Sequence, residues 1–153
     1  MNVVKNITFN FTLPHHLAIT DKFNKLALEL GVSHSVANHG FVSLTKCREI
    51  YIKSSISLHP SLLEVSSVSP LEAVLCGCEL VMPSLPFNKT YSQYAYFYEP
   101  FSSSNDIALI IQHILNLSSS SPSRSSKLIP LIKKSAAEWD AKHLTLFNVM
   151  NEL

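Results

Sequence analysis

The sequence predicts an α/β fold, with a mostly parallel sheet covered by helices on both faces. Short segments with strand-like alternation or continuous apolar character alternate along the chain with longer segments that have apolar residues at helical spacing. Glycine or proline follows several of these segments, where a strand or helix is expected to end. The chain has 153 residues and 46% hydrophobic content, which is enough for one buried core.

The predicted strands are short. Polar and apolar residues alternate over residues 6–11 and 55–59, as in strands with one buried face, whereas residues 80–82 are all apolar, as in a buried strand. The remaining predicted strands are residues 36–39 and 96–98. In parallel α/β sheets ligands bind at the carboxyl ends of the strands, so the loops after residues 11, 39, 58 and 82 are the places to search.

The predicted helices are residues 19–30, 44–53, 69–76 and 106–117. Thr20 or Asp21 is expected to cap the first helix, and Gly31 is expected to stop it. Pro70 lies in the first turn of the third helix and Gly77 follows its end, which are favoured positions for these two residue types.

The chain is expected to form one compact domain over residues 1–117, a serine-rich linker over 118–126 and C-terminal helices over 127–153 that pack on the domain. Trp139 and Phe147 lie on the apolar side of the last predicted helix. We expect part of this side to be exposed or to be buried in a dimer.

Composition excludes several classes of function. A net charge of +1 gives no basic surface for nucleic acid, and no apolar run is long enough to span a membrane. Three glycines cannot build a phosphate-binding loop of the Walker or dinucleotide type, and the three cysteines have no zinc-ligand spacing. Without a recognisable signal peptide, a cytoplasmic location is expected, so the sequons at Asn6, Asn10, Asn88 and Asn116 have no expected role.

Two carboxylates on either side of a predicted helix start are the best candidates for chemistry. Glu64 lies in the loop after a strand, and Glu72 follows after seven residues, in the first turn of the next helix. Backbone N–H groups near Ser67 and Val68 would point outward at the helix N-terminus, where a phosphate is stabilised. A nucleotide sugar offers hydroxyls for the two carboxylates and a diphosphate between them, although the spacing alone also fits solvated surface residues.

The residues around this pair extend the pattern. Pro60 and Ser61 precede Glu64, and Ala73, Gly77 and an apolar strand follow Glu72. The segment resembles the donor-site signature of retaining GT-B glycosyltransferases (group 1, or family 4-like). The likeness extends over residues 7–117, including Gly40–Val42 and residues 96–100. It implies that the domain is a Rossmann-like GT-B half-domain that binds a nucleotide diphosphate sugar.

The resemblance also implies roles for single residues. Glu64 would contact the transferred sugar and stabilise positive charge at its anomeric carbon, and Glu72 would bind the ribose. The amides of Ser67 and Val68 would hold the diphosphate, and the loop at Phe41 and Val42 would lie against the base. His59, at a strand end in the same region, and the hydroxyl of Ser66 are further candidate donor contacts. Neither a metal nor another cofactor is expected, since protein donors stabilise the leaving-group charge.

The sequence departs from the family pattern in ways that bear on activity. Val65, Ser66 and Ser67 stand where the family has Gly-Phe-Gly, and a preceding strand and helix with an Arg and a Lys have no counterpart. The family's acceptor-binding domain also has no counterpart in this sequence. We therefore expect the chain to be the donor-binding portion of a glycosyltransferase. For activity it would need an N-terminal domain, a partner chain or a second copy. The alternative is a non-catalytic GT-B-derived fragment or interaction module.

Overall fold

The computed structural model describes residues 7–16, 18–63, 68–92 and 94–117. The strands are β1 (Phe9–Phe11), β2 (Val36–Asn38), β3 (Ile56–Leu58), β4 (Glu79–Pro83) and β5 (Ala95–Tyr98), and the helices are α1 (Ala18–Glu29), α2 (Leu44–Lys53), α3 (Ser69–Leu75) and α4 (Ser104–Leu117). Each predicted strand and helix within residues 7–117 is present, with ends shifted by a few residues. Short 3₁₀ helices at Ser33–Ser35 and Pro86–Tyr91 were not predicted. The predicted α/β class is confirmed.

The strands form two small parallel sheets that lie in two compact units, Met1–Ile50 and Tyr51–Leu153. In the first unit β1 pairs with β2. In the second unit β4 lies between β3 and β5 and is parallel to both. The predicted linker and C-terminal helices, with Trp139 and Phe147, lie outside the described residues.

In the first unit, α1 packs against β1 through an edge-to-face contact between the rings of Phe11 and Phe23, whose centroids are 4.4 Å apart. The helix ends at Gly31, which has a φ of 69° and whose N–H donates to the Leu28 carbonyl at 3.0 Å. This left-handed stop confirms the expected end of α1. The expected cap at Thr20 is wrong, because Thr20 is buried inside the helix and its hydroxyl donates to the Pro14 carbonyl at 2.7 Å.

The core of the second unit is built around β4, all of whose residues are buried. Because side chains alternate along a strand, Leu80 and Met82 pack in one cluster with Ala73 and Val74 of α3. Val81 packs in the other cluster, with Ile114 of α4 and Tyr98 of β5. The sheet of this unit is therefore covered by helices on both faces, as predicted.

The turn between α3 and β4 is fixed by backbone and side-chain hydrogen bonds. Gly77 has a φ of 94°, and its N–H donates to the Val74 carbonyl at 2.9 Å, while the Cys78 N–H donates to Ala73 at 3.0 Å. The Cys78 thiol donates to the Tyr51 carbonyl at 3.2 Å, at the end of α2. A buried thiol thus ties the end of α2 to the start of β4.

We expect Cys78 to react with iodoacetamide at pH 8 far more slowly than Cys47 and Cys76, which are half-buried. Burial, with smaller contributions from Cys76 and Glu79, raises the pKa of the Cys78 thiol from 9.0 to about 11, and only the thiolate is nucleophilic. The folded thiol holds its proton more tightly than the unfolded one. Its contribution to stability is therefore present below pH 9 and is lost as the pH rises through about 11. Mass spectrometry of the native protein checks this, and equal labelling of Cys76 and Cys78 would contradict it.

A capping box starts α4. The hydroxyl of Ser103 accepts the Asp106 N–H at 3.2 Å and donates to the Asp106 carboxylate at 2.7 Å, which in turn accepts the Ser103 N–H at 3.1 Å. We expect Ser103→Ala to lower the free energy of unfolding by about 1 kcal/mol, as measured by urea denaturation. Ser104→Ala, at the next, exposed position, is the control, and an equal loss in both variants would refute the cap.

Within the described residues, no helix is both long enough and apolar enough to cross a membrane.

Candidate functional site

The second unit presents the loops after β3, β4 and β5 at one edge of its sheet, because all three strands are parallel. Helix α3 connects β3 to β4 and must run back along the sheet, so its N-terminus lies at the same carboxyl edge. Hydrogen bonds hold the loop starts, with the His59 N–H donating to the Val81 carbonyl at 2.9 Å and the Ser84 N–H to Tyr98 at 2.8 Å. This edge is where a parallel α/β sheet binds ligands.

Glu72 lies in the first turn of α3 and is half-buried. Its N–H donates to the carbonyl of Val68, the cap residue, at 3.0 Å. Val68 has no side-chain cap hydrogen bond and is 59% exposed, so no side chain of the cap residue satisfies the first N–H groups of α3. The structure thus brings Glu72 and Val68 together at the carboxyl edge of the sheet.

Glu64, Ser66 and Ser67 lie outside the described residues, because the structure describes residue 63 and then residue 68. The convergence of Glu64 and Glu72 on one ligand therefore stays a prediction.

His59 is held at the end of β3. Its Nε2 lies 2.9 Å from the hydroxyl of Ser57, which is buried and lies two residues earlier on the same face of the strand. The ring is half-buried. This contact fixes the ring at the carboxyl edge and uses one of its nitrogens.

In the first unit, Phe41 and Val42 follow β2 by a few residues. Phe41 is 82% exposed and its ring lies 6.5 Å from that of His16, whereas Val42 is half-buried. The carboxamide oxygen of Asn38 accepts the N–H groups of Leu13 at 3.0 Å and Gly40 at 3.1 Å. The loops after β1 and β2 are therefore linked at the carboxyl edge of this sheet, with Phe41 exposed on it.

Gly40 allows this close approach of the two loops. It has a φ of 65°, and a Cβ there would lie 2.6 Å from the Nε2 of His15. We expect Gly40→Ala to destabilise the first unit by more than the roughly 1–2 kcal/mol that a left-handed conformation costs. The matched control is Gly31→Ala, at a φ of 69° with no atom within 4 Å of the added methyl group. Chemical denaturation measures both, and equal losses would show that His15 does not crowd Gly40.

Two residues of the edge loops were not singled out from the sequence. Lys89 lies in the 3₁₀ helix that follows β4, and Phe101 follows β5 with a φ of 68° and 88% exposure. Lys89 had a signal, since it is a cation shortly after a predicted strand. The left-handed conformation of Phe101 had none, because non-glycine residues rarely adopt it. No group of three or more His, Cys, Asp or Glu residues that could hold a metal ion occurs in the described part of the chain.

Comparison with known families gives a match over most of the chain. The family model described as Glycosyl transferases group 1 matches residues 19–127, a range that includes Phe41, His59 and Glu72. Comparison with curated proteins gives no match. A match over more than half of the chain, together with the parallel α/β fold, shows that the chain belongs to the group 1 glycosyltransferase family, whose members transfer sugars.

Proposed function

We propose that the chain binds a nucleotide diphosphate sugar and forms the donor-binding portion of a glycosyltransferase. The observation that carries this proposal is the position of Glu72. It is a half-buried carboxylate in the first turn of a helix whose N-terminus lies at the carboxyl edge of a parallel sheet, within the region that matches the family. A carboxylate there can accept hydrogen bonds from ribose hydroxyls while the adjacent helix N-terminus attracts the diphosphate.

Each site residue has a proposed role. Glu72 accepts hydrogen bonds from the ribose, and Glu64 stabilises positive charge that develops at the anomeric carbon of the transferred sugar. The remaining candidate residues are proposed to contact the diphosphate and the base of the donor. They are the amides of Ser67 and Val68, the hydroxyl of Ser66, His59, Phe41 and Val42. The reaction needs no bound metal in this scheme, because protein donors stabilise the charge on the departing diphosphate.

Transfer to an acceptor requires a second surface. An acceptor must be oriented toward the anomeric carbon and water must be excluded, which a single open sheet edge does poorly. Leu63 and Phe101 are 86% and 88% exposed on loops at this edge, so apolar surface is available to a covering domain. We propose that an acceptor-binding domain, a partner chain or a second copy completes the site.

A cytoplasmic location is part of the proposal. Cys47, Cys76 and Cys78 are all free thiols, which suits a reducing compartment. The Asn88 side chain of one sequon has a structural role instead of being a glycosylation site, because it is buried and its amide donates to the Pro83 carbonyl at 2.8 Å.

Calorimetric titration with uridine and guanosine diphosphate sugars tests the proposal. We expect saturable binding of one of them, with the corresponding nucleoside diphosphate competing for the same site. The titrations are run with the chain alone and with a candidate acceptor-domain partner. If neither donor binds, whether the chain is alone or the partner is present, the proposed function is contradicted.

The second candidate is a non-catalytic descendant that retains the fold as an interaction module. Val65, Ser66 and Ser67 in place of Gly-Phe-Gly favour it, since valine restricts the close backbone approach that a phosphate needs. Sugar transfer that is abolished by Glu64→Ala would eliminate this candidate.

A further inference from the structure

An open groove runs along the outer edge of β5, which is an edge strand of the sheet that the described residues of the second unit form. A cavity of about 470 Å³ lies there and touches Ala95, Tyr96 and Phe97. Successive side chains of a strand point to opposite faces of the sheet. A cavity that touches three consecutive residues therefore lies against the edge of the strand and not on one of its faces.

Backbone groups of β5 are directed toward this groove. The Ser84 N–H donates to the Tyr98 carbonyl at 2.8 Å, so the backbone groups of Tyr98 face β4. The backbone groups of successive residues in a strand point to opposite sides, so the N–H and C=O of Phe97 face the outer edge. An edge strand that presents such groups is a template for pairing with another extended chain.

Helix α4 forms the second wall of the groove. Leu109 is 61% exposed, Ile110 is half-buried and His113 is exposed, and all three line the cavity. On the β5 side, Tyr96 packs with Ile110, and its ring centroid lies 6.4 Å from that of His113. The groove therefore offers apolar surface to a side chain that projects toward α4 from a strand paired with β5.

Two carboxylates lie at the end of the groove where β5 ends and α4 begins. Asp106 precedes Leu109 by three residues on α4, so both lie on the same side of the helix. Glu99 directly follows β5. Both acidic residues are exposed, and the residues that line the cavity include no Lys or Arg. A positive charge on a bound chain is therefore favoured at this end.

We propose that the groove binds an extended segment of another protein, which adds a strand to the outer edge of β5. Strand addition of this kind takes its affinity from backbone hydrogen bonds and its specificity from alternate side chains. The inference goes beyond the proposed function and does not depend on it, because it requires no nucleotide.

The geometry specifies the chemistry of the segment. An antiparallel strand exchanges two hydrogen bonds with Phe97 through the residue directly opposite it. The residues on either side of that one project toward α4. Since the N-terminal end of an antiparallel segment lies where β5 ends, a basic residue faces Asp106 and an apolar residue two positions later faces Leu109 and Tyr96.

The test uses a fluorescein-labelled, acetylated peptide amide of the sequence Thr-Thr-Arg-Thr-Val-Thr-Thr, whose threonines favour an extended backbone. Fluorescence anisotropy with the full chain is expected to show saturable binding, and NMR to show slower exchange of the Phe97 amide when the peptide is bound. Methylation of the backbone nitrogen between Arg and Val removes a donor to β5 and is expected to weaken binding at least roughly tenfold. Replacing Arg by Glu is expected to weaken it roughly two- to fivefold, as for an exposed ion pair.

Leu109→Lys tests the α4 wall. It removes apolar surface and places a positive charge near the arginine of the peptide, so binding is expected to weaken at least roughly tenfold. Ala108→Lys is the matched control, since it adds the same charge at the next, exposed position of α4, and it is expected to leave binding within about twofold. Thermal unfolding checks that both variants are folded.

Several outcomes would overturn the proposal. One is the absence of saturable binding by the full chain up to about 1 mM peptide. Equal binding of the N-methylated peptide, or an equal loss in the two α4 variants, would also overturn it. Sedimentation equilibrium examines a second copy as the occupant: a dimer of the chain alone in which the Phe97 amide is already protected would mean that β5 pairs with its own copy.

Discussion

Glu72→Gln is expected to weaken binding of the nucleotide sugar by roughly 10- to 100-fold, because hydrogen bonds to a charged acceptor contribute about 1.5–3 kcal/mol. Glutamine keeps the size of the side chain and one acceptor oxygen but loses the charge. The variant is measured by calorimetric titration with whichever donor binds the wild type. Comparison with the free nucleoside locates the loss, since a ribose contact affects the nucleoside and the donor alike.

Glu29→Gln is the control for Glu72→Gln. Glu29 ends α1 in the first unit, where it makes only an exposed contact with Lys25 at 3.9 Å, so its loss is expected to leave donor binding unchanged. The unfolding midpoints of both variants should stay near that of the wild type, because Gln and Glu have similar helix propensities. Unchanged donor binding by Glu72→Gln would place the ribose elsewhere and remove the main support for the proposed site.

Leu80→Ala is expected to lower the free energy of unfolding of the second unit by about 2–5 kcal/mol, the range for truncating a fully buried leucine. Leu80 is 0% exposed in the central strand and packs with Ala73 and Val74 of α3. A loss of this size is a large part of the roughly 5–15 kcal/mol that stabilises a typical domain. Guanidinium denaturation followed by circular dichroism measures it.

Leu109→Ala is the control in the same experiment, because it makes the same substitution at an exposed position. Leu109 lies on α4 and is 61% exposed, so its truncation should change stability by no more than about 0.5 kcal/mol. Similar losses for the two variants would mean that β4 is not the centre of the core.

Local residue patterns were enough to locate the helices and strands. The ends of α1 and α3 follow from glycine alone, because Gly31 and Gly77 adopt the left-handed conformation that stops a helix and lets its last carbonyls be paired. The continuous apolar run at residues 80–82 likewise indicated a strand buried on both faces. The family pattern identified Glu72, and its place in the first turn of α3 follows from Pro70 at the start of that helix.

Other features depend on contacts between residues that are distant in the sequence. Thr20 resembled a helix cap, but it is buried within the first turn of α1, and its hydroxyl donates to the carbonyl of Pro14. The 3₁₀ helix after β4 forms around Asn88, whose partner is the last carbonyl of β4. Neither hydrogen bond has a periodic signal, because each depends on where the chain folds back.

The sequence by itself determined the α/β class, the order of helices and strands, and the acidic residue at the start of α3. Only the tertiary structure decided that the strands divide into two sheets and that β4 lies between β3 and β5. That order brings the ends of β3, β4 and β5 to one edge of the sheet, and it depends on long-range backbone pairing and on burial of both faces of β4. Hydrophobic periodicity specifies which face of a strand is buried, but not which strand lies next to it.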